Sequence, residues 1–341
     1  MKQIDTKDAV AHVLCHDITR IVKGQVKEAA FRKGHIVTEE DIPALLKLGK
    51  DHLYVWEKQP GMMHENEAAE VLYNICAGPY MQPTPVKEGK IEVVAQVDGL
   101  LTVDVERLHA INMLGQMMIA TRSGNFRVNK GDKLAGTRII PLLIEESKMQ
   151  TAQQAAGKEP LLTLHPFHKK KVGIIATGNE VFYGRIQDTF TPTLVSKLKE
   201  FDAEVLFCKT LPDDPDGVTA EILDMVKQGA DIVLCTGGMS VDPDDRTPLA
   251  IKNTGARIVS YGAPVLPGAM FLLSYLPGGA TVMGLPGCVM YEKRTIFDLI
   301  LPKVMADVEV TEENLAALGH GGLCLNCSPC TFPVCSFGKG V

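Results

Sequence analysis

The sequence predicts a three-layer α/β/α domain on a mostly parallel sheet over residues 166–308. An α+β, β-rich region precedes it (1–165) and a cysteine-rich tail follows (309–341). Three observations carry this reading. Short β-branched apolar runs, Val172–Ala176 and Ile232–Cys235, end in glycine-containing turns, as buried parallel strands do. Amphipathic segments such as 218–228, with Ile222, Leu223 and Val226 inward, separate such runs, so strands and helices alternate. Before Lys171 the pattern is instead one of short alternating strands separated by glycines.

Taken in order, residues 9–21 read as a strand with a turn at His16-Asp17. Thr38 reads as the N-cap of a helix whose apolar face is Ile42, Leu45, Leu46 and Leu48, and Gly49 ends it. Leu53 and Val55 belong to a strand. Residues 64–78 form a helix with Ala68, Ala69, Val71, Leu72 and Ile75 inward, stopped by Gly78-Pro79. Strands are expected at 91–97, 100–105, 117–121 and 137–143. Residues 150–158 are polar and alanine-rich, a surface helix or a linker. His12, His16, His35 and His64 are scattered and read as surface or core residues, not ligands.

The α/β succession then runs strand 172–176, helix 189–201, strand 203–208, helix 218–228, strand 232–235, helix 248–254, and strands 257–261, 271–275 and 281–285. A helix from Val289 to Leu301 is expected to start at the Pro286-Gly287 turn. The loops at 177–180, 185–189, 213–215 and 236–245 then leave the sheet at its carboxyl end, where open α/β sheets bind ligands.

Composition removes several function classes. Of 341 residues, 45% are hydrophobic and 22% charged, and the net charge is −6, so no nucleic-acid footprint is present. No run approaches the ~18 apolar residues of a membrane span. The N-terminal stretch is charged from Lys2 onward, so no secretory leader and a cytoplasmic location are expected.

The loop after Ile232–Cys235 holds Thr236, Gly237, Gly238, Met239 and Ser240, then Asp242, Asp244 and Asp245. Adjacent glycines let backbone approach a ligand. Backbone N–H groups and hydroxyls suit an anionic or pterin-like ligand; carboxylates suit a divalent cation or a proton transfer.

Six segments in order resemble the molybdopterin-binding domain shared by MoeA, MogA and gephyrin. They are Val172–Glu180 (VGIIATGNE), Gly184–Asp188 (GRIQD), Asp213–Pro215 (DDP), Thr236–Ser240 (TGGMS) with Asp245, Pro267-Gly268, and Gly284–Gly287 (GLPG). The resemblance covers about residues 170–306 and is nearest to MoeA-type proteins. It implies that Thr177, Gly178, Asp188, Thr236, Gly237, Gly238, Ser240, Pro286 and Gly287 hold molybdopterin or its adenylate. It implies that Glu180, Asp213 and Asp245 serve molybdate insertion with Mg²⁺, in a homo-oligomer, dimer or trimer. Six positions depart from the family pattern: Asp242 for glycine, Ala269 for lysine, Met270 for proline, Cys288 for asparagine, Val289 for proline and Phe190 for asparagine. Residues 1–165 lack the Asp-Gly-Tyr-Ala motif.

The tail carries Cys324, Cys327, Cys330 and Cys335 in a C-x2-C-x2-C-x4-C spacing, near the run of bacterial ferredoxins. Four thiolates so close in sequence suit either zinc or an iron–sulfur cluster. Three functions are consistent with these features: molybdate insertion into molybdopterin, carriage or sensing of the finished cofactor for a partner molybdoenzyme, and CinA-like hydrolysis of a nucleotide pyrophosphate.

Overall fold

The run Ile232–Thr236 is buried at every position, as expected of a strand with neighbours on both edges and helices on both faces. In the computed structural model, which describes residues 2–22, 26–55, 60–240 and 245–340, this run lies inside a six-stranded sheet. The domain runs β1 (Lys171–Thr177), α1 (Asn179–Phe182), α2 (Phe190–Lys199), β2 (Glu204–Leu211) and α3 (Pro215–Lys227). It continues β3 (Ile232–Thr236), α4 (Thr247–Asn253), β4 (Arg257–Tyr261), β5 (Leu272–Tyr275), β6 (Thr281–Leu285), a 3-10 turn (Gly287–Met290), α5 (Ile296–Met305) and α6 (Glu312–Ala317).

The strand order is β2-β1-β3-β6-β5-β4. The first four are parallel; β5 and β4 are antiparallel to their neighbours. Side chains alternate between two cores. Ile174, Leu234 and Met283 face Leu194 and Leu198 of α2 and Phe297 and Ile300 of α5. Ile175, Val233 and Cys235 face Val218 and Ile222 of α3 and Ile251 of α4. These are the expected three layers and mostly parallel sheet.

The helix expected from Val289 is displaced. A single 3-10 turn follows Pro286, and α5 begins only at Ile296. Thr295 and Asp298 explain the start: the Thr295 hydroxyl accepts from Phe297 N–H, and the Asp298 carboxylate accepts from Thr295 N–H at 2.8 Å, a capping box. No regular helix end therefore points from the Pro286-Gly287 turn. Likewise Asn179–Phe182 is one helical turn, not open loop.

The chain divides into two compact units. One comprises Met1–Gln96, Val103–Arg122 and Gly131–Thr163; the other comprises Val97–Thr102, Ser123–Lys130 and Leu164–Val341. In the first, Lys2–Asp5 pairs with His52–Val55, and Ile18–Val22 with Val26–Phe31. Most of the strand expected at 9–21 is absent. Val13 and Leu14 make only isolated bridges, to Ile36 and Val55. The helix expected after Thr38 starts at Asp41, whose carboxylate accepts from the Thr38 hydroxyl at 2.8 Å. A four-stranded antiparallel sheet holds Met81–Pro83, Lys90–Ala95, Lys133–Ile139 and Met117–Thr121 in that order. The polar segment near 150 is a helix, Glu146–Ala156, that buries Met149, Ala152 and Ala156. Val105–Asn112 is a helix where the sequence pattern predicts a strand end, because Asp104 caps it through Arg107 N–H.

His64 is a core residue, one of the two environments expected for a scattered histidine. Its Nε2 bonds the Cys15 carbonyl at 3.0 Å, and its Nδ1 accepts from Asn66 N–H at 3.1 Å, capping Glu65–Cys76. Nε2–H donates to the carbonyl in either charge state, but Nδ1 can accept only in the neutral ring. Burial first, and then the Lys33 charge, push its pKa below the ordinary value; burial does the same to His16. Below the ordinary histidine pKa of about 6.5 the unfolded chain binds protons that the folded chain refuses, so stability falls as pH falls. The urea midpoint should therefore drop between about pH 7.5 and about pH 5.5. His64→Asn, which keeps an acceptor for the cap without titrating, should flatten that drop. An unchanged pH slope in the variant would place the effect elsewhere.

Candidate functional site

Register brings the predicted loops to one edge. Thr177 lies opposite Leu211, Ala176 opposite Thr236, and Thr236 opposite Leu285. The segments beginning at Gly178, Pro212, Gly237 and Pro286 therefore leave the sheet side by side. Because β5 and β4 are antiparallel, the 262–271 connection turns at this same edge, with Tyr261 opposite Leu272 and Leu272 opposite Gly284.

Three buried threonines form the floor. The Thr177 hydroxyl donates to the Thr236 carbonyl at 3.1 Å and shares a 3.1 Å bond with the Thr247 hydroxyl. Thr177 is 6% exposed and Thr247 3%. The Thr247 N–H returns to the Gly238 carbonyl at 3.1 Å, closing the glycine loop onto the start of α4. The Thr236 hydroxyl is fully buried and has no partner among the described residues.

The glycines divide by what they serve. At Gly237, with φ +82°, a Cβ would lie 2.1 Å from the Thr177 carbonyl oxygen; at Gly238 it would lie 2.9 Å from the Thr247 hydroxyl. Both Cβ positions point into protein, so these glycines let the loop close on β1. Gly287 is different. It is exposed, and a Cβ there meets nothing within 4 Å. The fold does not require glycine at that position, and the open space lies beside the sheet edge.

The acids predicted to act are each placed, but not gathered. Glu180 is exposed, with its carboxylate folded back over Gly178, where a Cβ would meet it at 2.8 Å. Asp213 Oδ2 accepts from Asn179 N–H at 2.9 Å, and the Asn179 amide oxygen accepts from Asp213 N–H at 3.4 Å, clasping the first two loops together. Asp245 Oδ2 accepts from Ser240 N–H at 3.0 Å and holds the glycine loop from its far side. Asp242 and Asp244 lie outside the described residues. Asp188 is a helix cap: its Oδ1 accepts from Phe190 and Thr191 N–H. The Thr189 hydroxyl touches the Met290 sulfur, tying this loop to the turn after Pro286. Cys288 is half-buried, and burial pushes its thiol up, which keeps it protonated.

Cys327 and Cys330 are exposed, while Cys324 and Cys335 pack against the domain core. Among the described residues no three His, Cys, Asp or Glu side chains converge on a single-ion site, in the tail or at the sheet edge.

Sequence reasoning missed Thr247 and Tyr261. The Tyr261 hydroxyl donates to the Met239 carbonyl at 2.9 Å, and burial, then the Asp245 charge, raise its pKa. Thr247 sits two positions after Asp245, a polar residue opening a helix at Pro248, and that is the available signal. Tyr261 has none, since its partner is 22 residues away.

Residues 173–306 match the family described as "Probable molybdopterin binding domain", and residues 3–57 match a domain of unknown function (DUF8806). A molybdopterin molybdenumtransferase of Synechococcus elongatus is 27% identical over 180 residues, covering 50% of this chain and 42% of that protein. A CinA-like protein of Fervidobacterium nodosum is 36% identical over 88 residues, covering 26% of this chain and 21% of that one. A solved structure of the molybdopterin biosynthesis enzyme MoaB from Thermus thermophilus aligns with a TM-score of 0.35 and 21% identity over 42% of this chain and 97% of that one. The chain thus spans under half the length of the curated relatives it matches. The family match falls on the α/β segment that carries the six motifs.

Gly237→Val should destabilise the C-terminal unit by about 1–3 kcal/mol or more, since its side chain must displace the Thr177 carbonyl. Gly287→Val should stay within about 0.5 kcal/mol of wild type. Urea unfolding of both variants checks the contrast.

Proposed function

We propose that this chain binds molybdopterin or its adenylate at the carboxyl edge of the sheet and acts in molybdate insertion during molybdenum-cofactor biosynthesis. The observation that carries the reading is Gly287, open and sterically unconstrained, beside loops whose segment matches the molybdopterin-binding family. The orphaned Thr236 hydroxyl supports it: a polar group left unpaired in the floor is costly unless a ligand or water answers it.

In this reading the N–H groups and hydroxyls of 177–180 and 236–240 hold the phosphate end. The motif resemblance, and not a convergence of their carboxylates, supports a part in the metal chemistry for Glu180, Asp213 and Asp245. Asp213 and Asp245 each spend one carboxylate oxygen on a backbone amide, leaving the other to face a cation. Glu180 is exposed and free to swing toward it. These donors are oxygens, which suits Mg²⁺, and the ion would neutralise phosphate charge while an anhydride is split. A homo-oligomer and a recipient molybdoenzyme complete the proposal.

Ala269, standing where the family has lysine, favours a second reading in which the chain carries finished cofactor without turning it over. Two variants separate the readings. Gly287→Val should weaken molybdopterin binding, measured by titration calorimetry, by at least about tenfold, while the fold survives. Asp245→Asn, which keeps an acceptor for Ser240 N–H, should lower molybdate-dependent turnover by roughly a hundredfold and leave binding within a few fold. Wild-type binding without turnover would select the carrier. Hydrolysis of a nucleotide pyrophosphate without pterin binding would select the CinA-like activity, and unchanged affinity in Gly287→Val would remove the site from this edge.

A further inference from the structure

The tail forms a closed loop whose base is built by the protein itself. Gly338 N–H donates to the Gly321 carbonyl at 2.9 Å, and Cys324 N–H to the Leu266 carbonyl at 2.8 Å, where Leu266 and Leu323 form a parallel bridge. Phe337 is buried in the domain core, and the Phe332 ring packs between Phe126 and Phe337 with centroids 5.9 and 6.2 Å away. The loop is thereby held before any metal is considered.

All four tail cysteines line one cavity of about 280 Å³, walled on the apolar side by Phe332 and on the polar side by Arg294. Arg294 is fixed there by ion pairs to Asp298 at 2.8 Å and Glu200 at 3.2 Å, with its guanidinium 5.1 Å from the Phe332 ring centre. The four thiols surround this space, yet no three of them converge on a point.

Two centres could take four thiolates. Zinc binds sulfur at about 2.3 Å, so its four sulfurs must lie roughly 3.8 Å from one another. A [4Fe–4S] centre bonds each of four thiolates to a separate iron and places an inorganic core between them. A cavity of about 280 Å³ lined by all four cysteines has room for such a core. The spacing C-x2-C-x2-C-x4-C departs by one residue from the ferredoxin run.

We propose that Cys324, Cys327, Cys330 and Cys335 ligate one [4Fe–4S] cluster in this cavity. Loading is ligand exchange: four cysteine S–H bonds break, four cysteine sulfur–iron bonds form, and each proton leaves on the small thiolate that the cysteine displaces. No electron is gained or lost. Arg294 supplies a fixed donor beside an anionic centre.

The test uses the full chain, reduced and anaerobic, and a synthetic [4Fe–4S] cluster carrying small thiolate ligands. Wild type should take up about one cluster, hence about four irons, per chain. Loading should protect the four tail thiols from alkylation, read by mass spectrometry, while exposed Cys208 stays reactive. The double variant Cys327→Ser, Cys330→Ser, altered at two exposed positions, should retain less than about a tenth of the iron; Cys208→Ser should retain all of it. Uptake of one zinc with no cluster, wild-type iron in the double variant, or tail thiols that remain reactive after loading would each overturn the proposal. It rests on no part of the pterin reading, since cluster loading and pterin binding are measured separately.

Discussion

One hydroxyl group organises the carboxyl edge of the sheet. Thr177 ends the strand β1, and its side chain binds both the next strand's last carbonyl and the first residue of the helix beyond the glycine loop. In a parallel sheet the strand ends are brought level by backbone pairing, but the loops beyond them are not. A buried hydroxyl bonded on two sides converts level strand ends into a fixed floor, because breaking either bond strands a polar group away from water. Gly237 and Gly238 follow from this: the loop must lie too close to β1 for any side chain to fit.

The parts legible in sequence are those set by local pattern. Continuous apolar runs identify β1, β3 and β6, and six short motifs identify the domain. What is not legible depends on residues distant in the chain. Thr247 meets Thr177 across 70 positions, and Asp213 meets Asn179 across 34. A motif reports that such acids matter, but not that each already spends an oxygen holding a loop. The misplaced start of α5 has a different cause. The apolar residues from Val289 continue the pattern backward, and periodicity outweighs the Thr295–Asp298 capping box, which is present in the sequence. In residues 9–21 alternation suggests a strand, yet the partners available to Val13 and Leu14 are single residues, so no ladder propagates.

The two candidate centres differ in how the protein prepares them. At the sheet edge, preparation is by hydrogen bonds among threonines and aspartates, with oxygen donors left over. In the tail it is by aromatic packing and a closed backbone loop, with sulfur donors left over. Hard oxygen sites and soft thiolate sites select different metals, so one chain can hold both without exchange between them. The Leu266–Leu323 bridge fastens the tail to the 262–271 connection, and the Pro267 carbonyl of that connection accepts from Ile296 N–H at the start of α5.

The complete burial of β3 has a consequence on the scale of hydrogen exchange. Its amides are bonded within a sheet flanked on both edges and covered on both faces, so no local fluctuation short of losing the whole domain exposes them to solvent deuterium. In the loop that follows, Met239 is buried, Gly237 and Gly238 are half-buried and Ser240 is exposed. Exchange at Ile232–Thr236 therefore reports the global unfolding free energy of the domain, while exchange at exposed Ser240, whose N–H is held by Asp245, reports the opening of the loop, and the two readings come from one strand and the loop it carries.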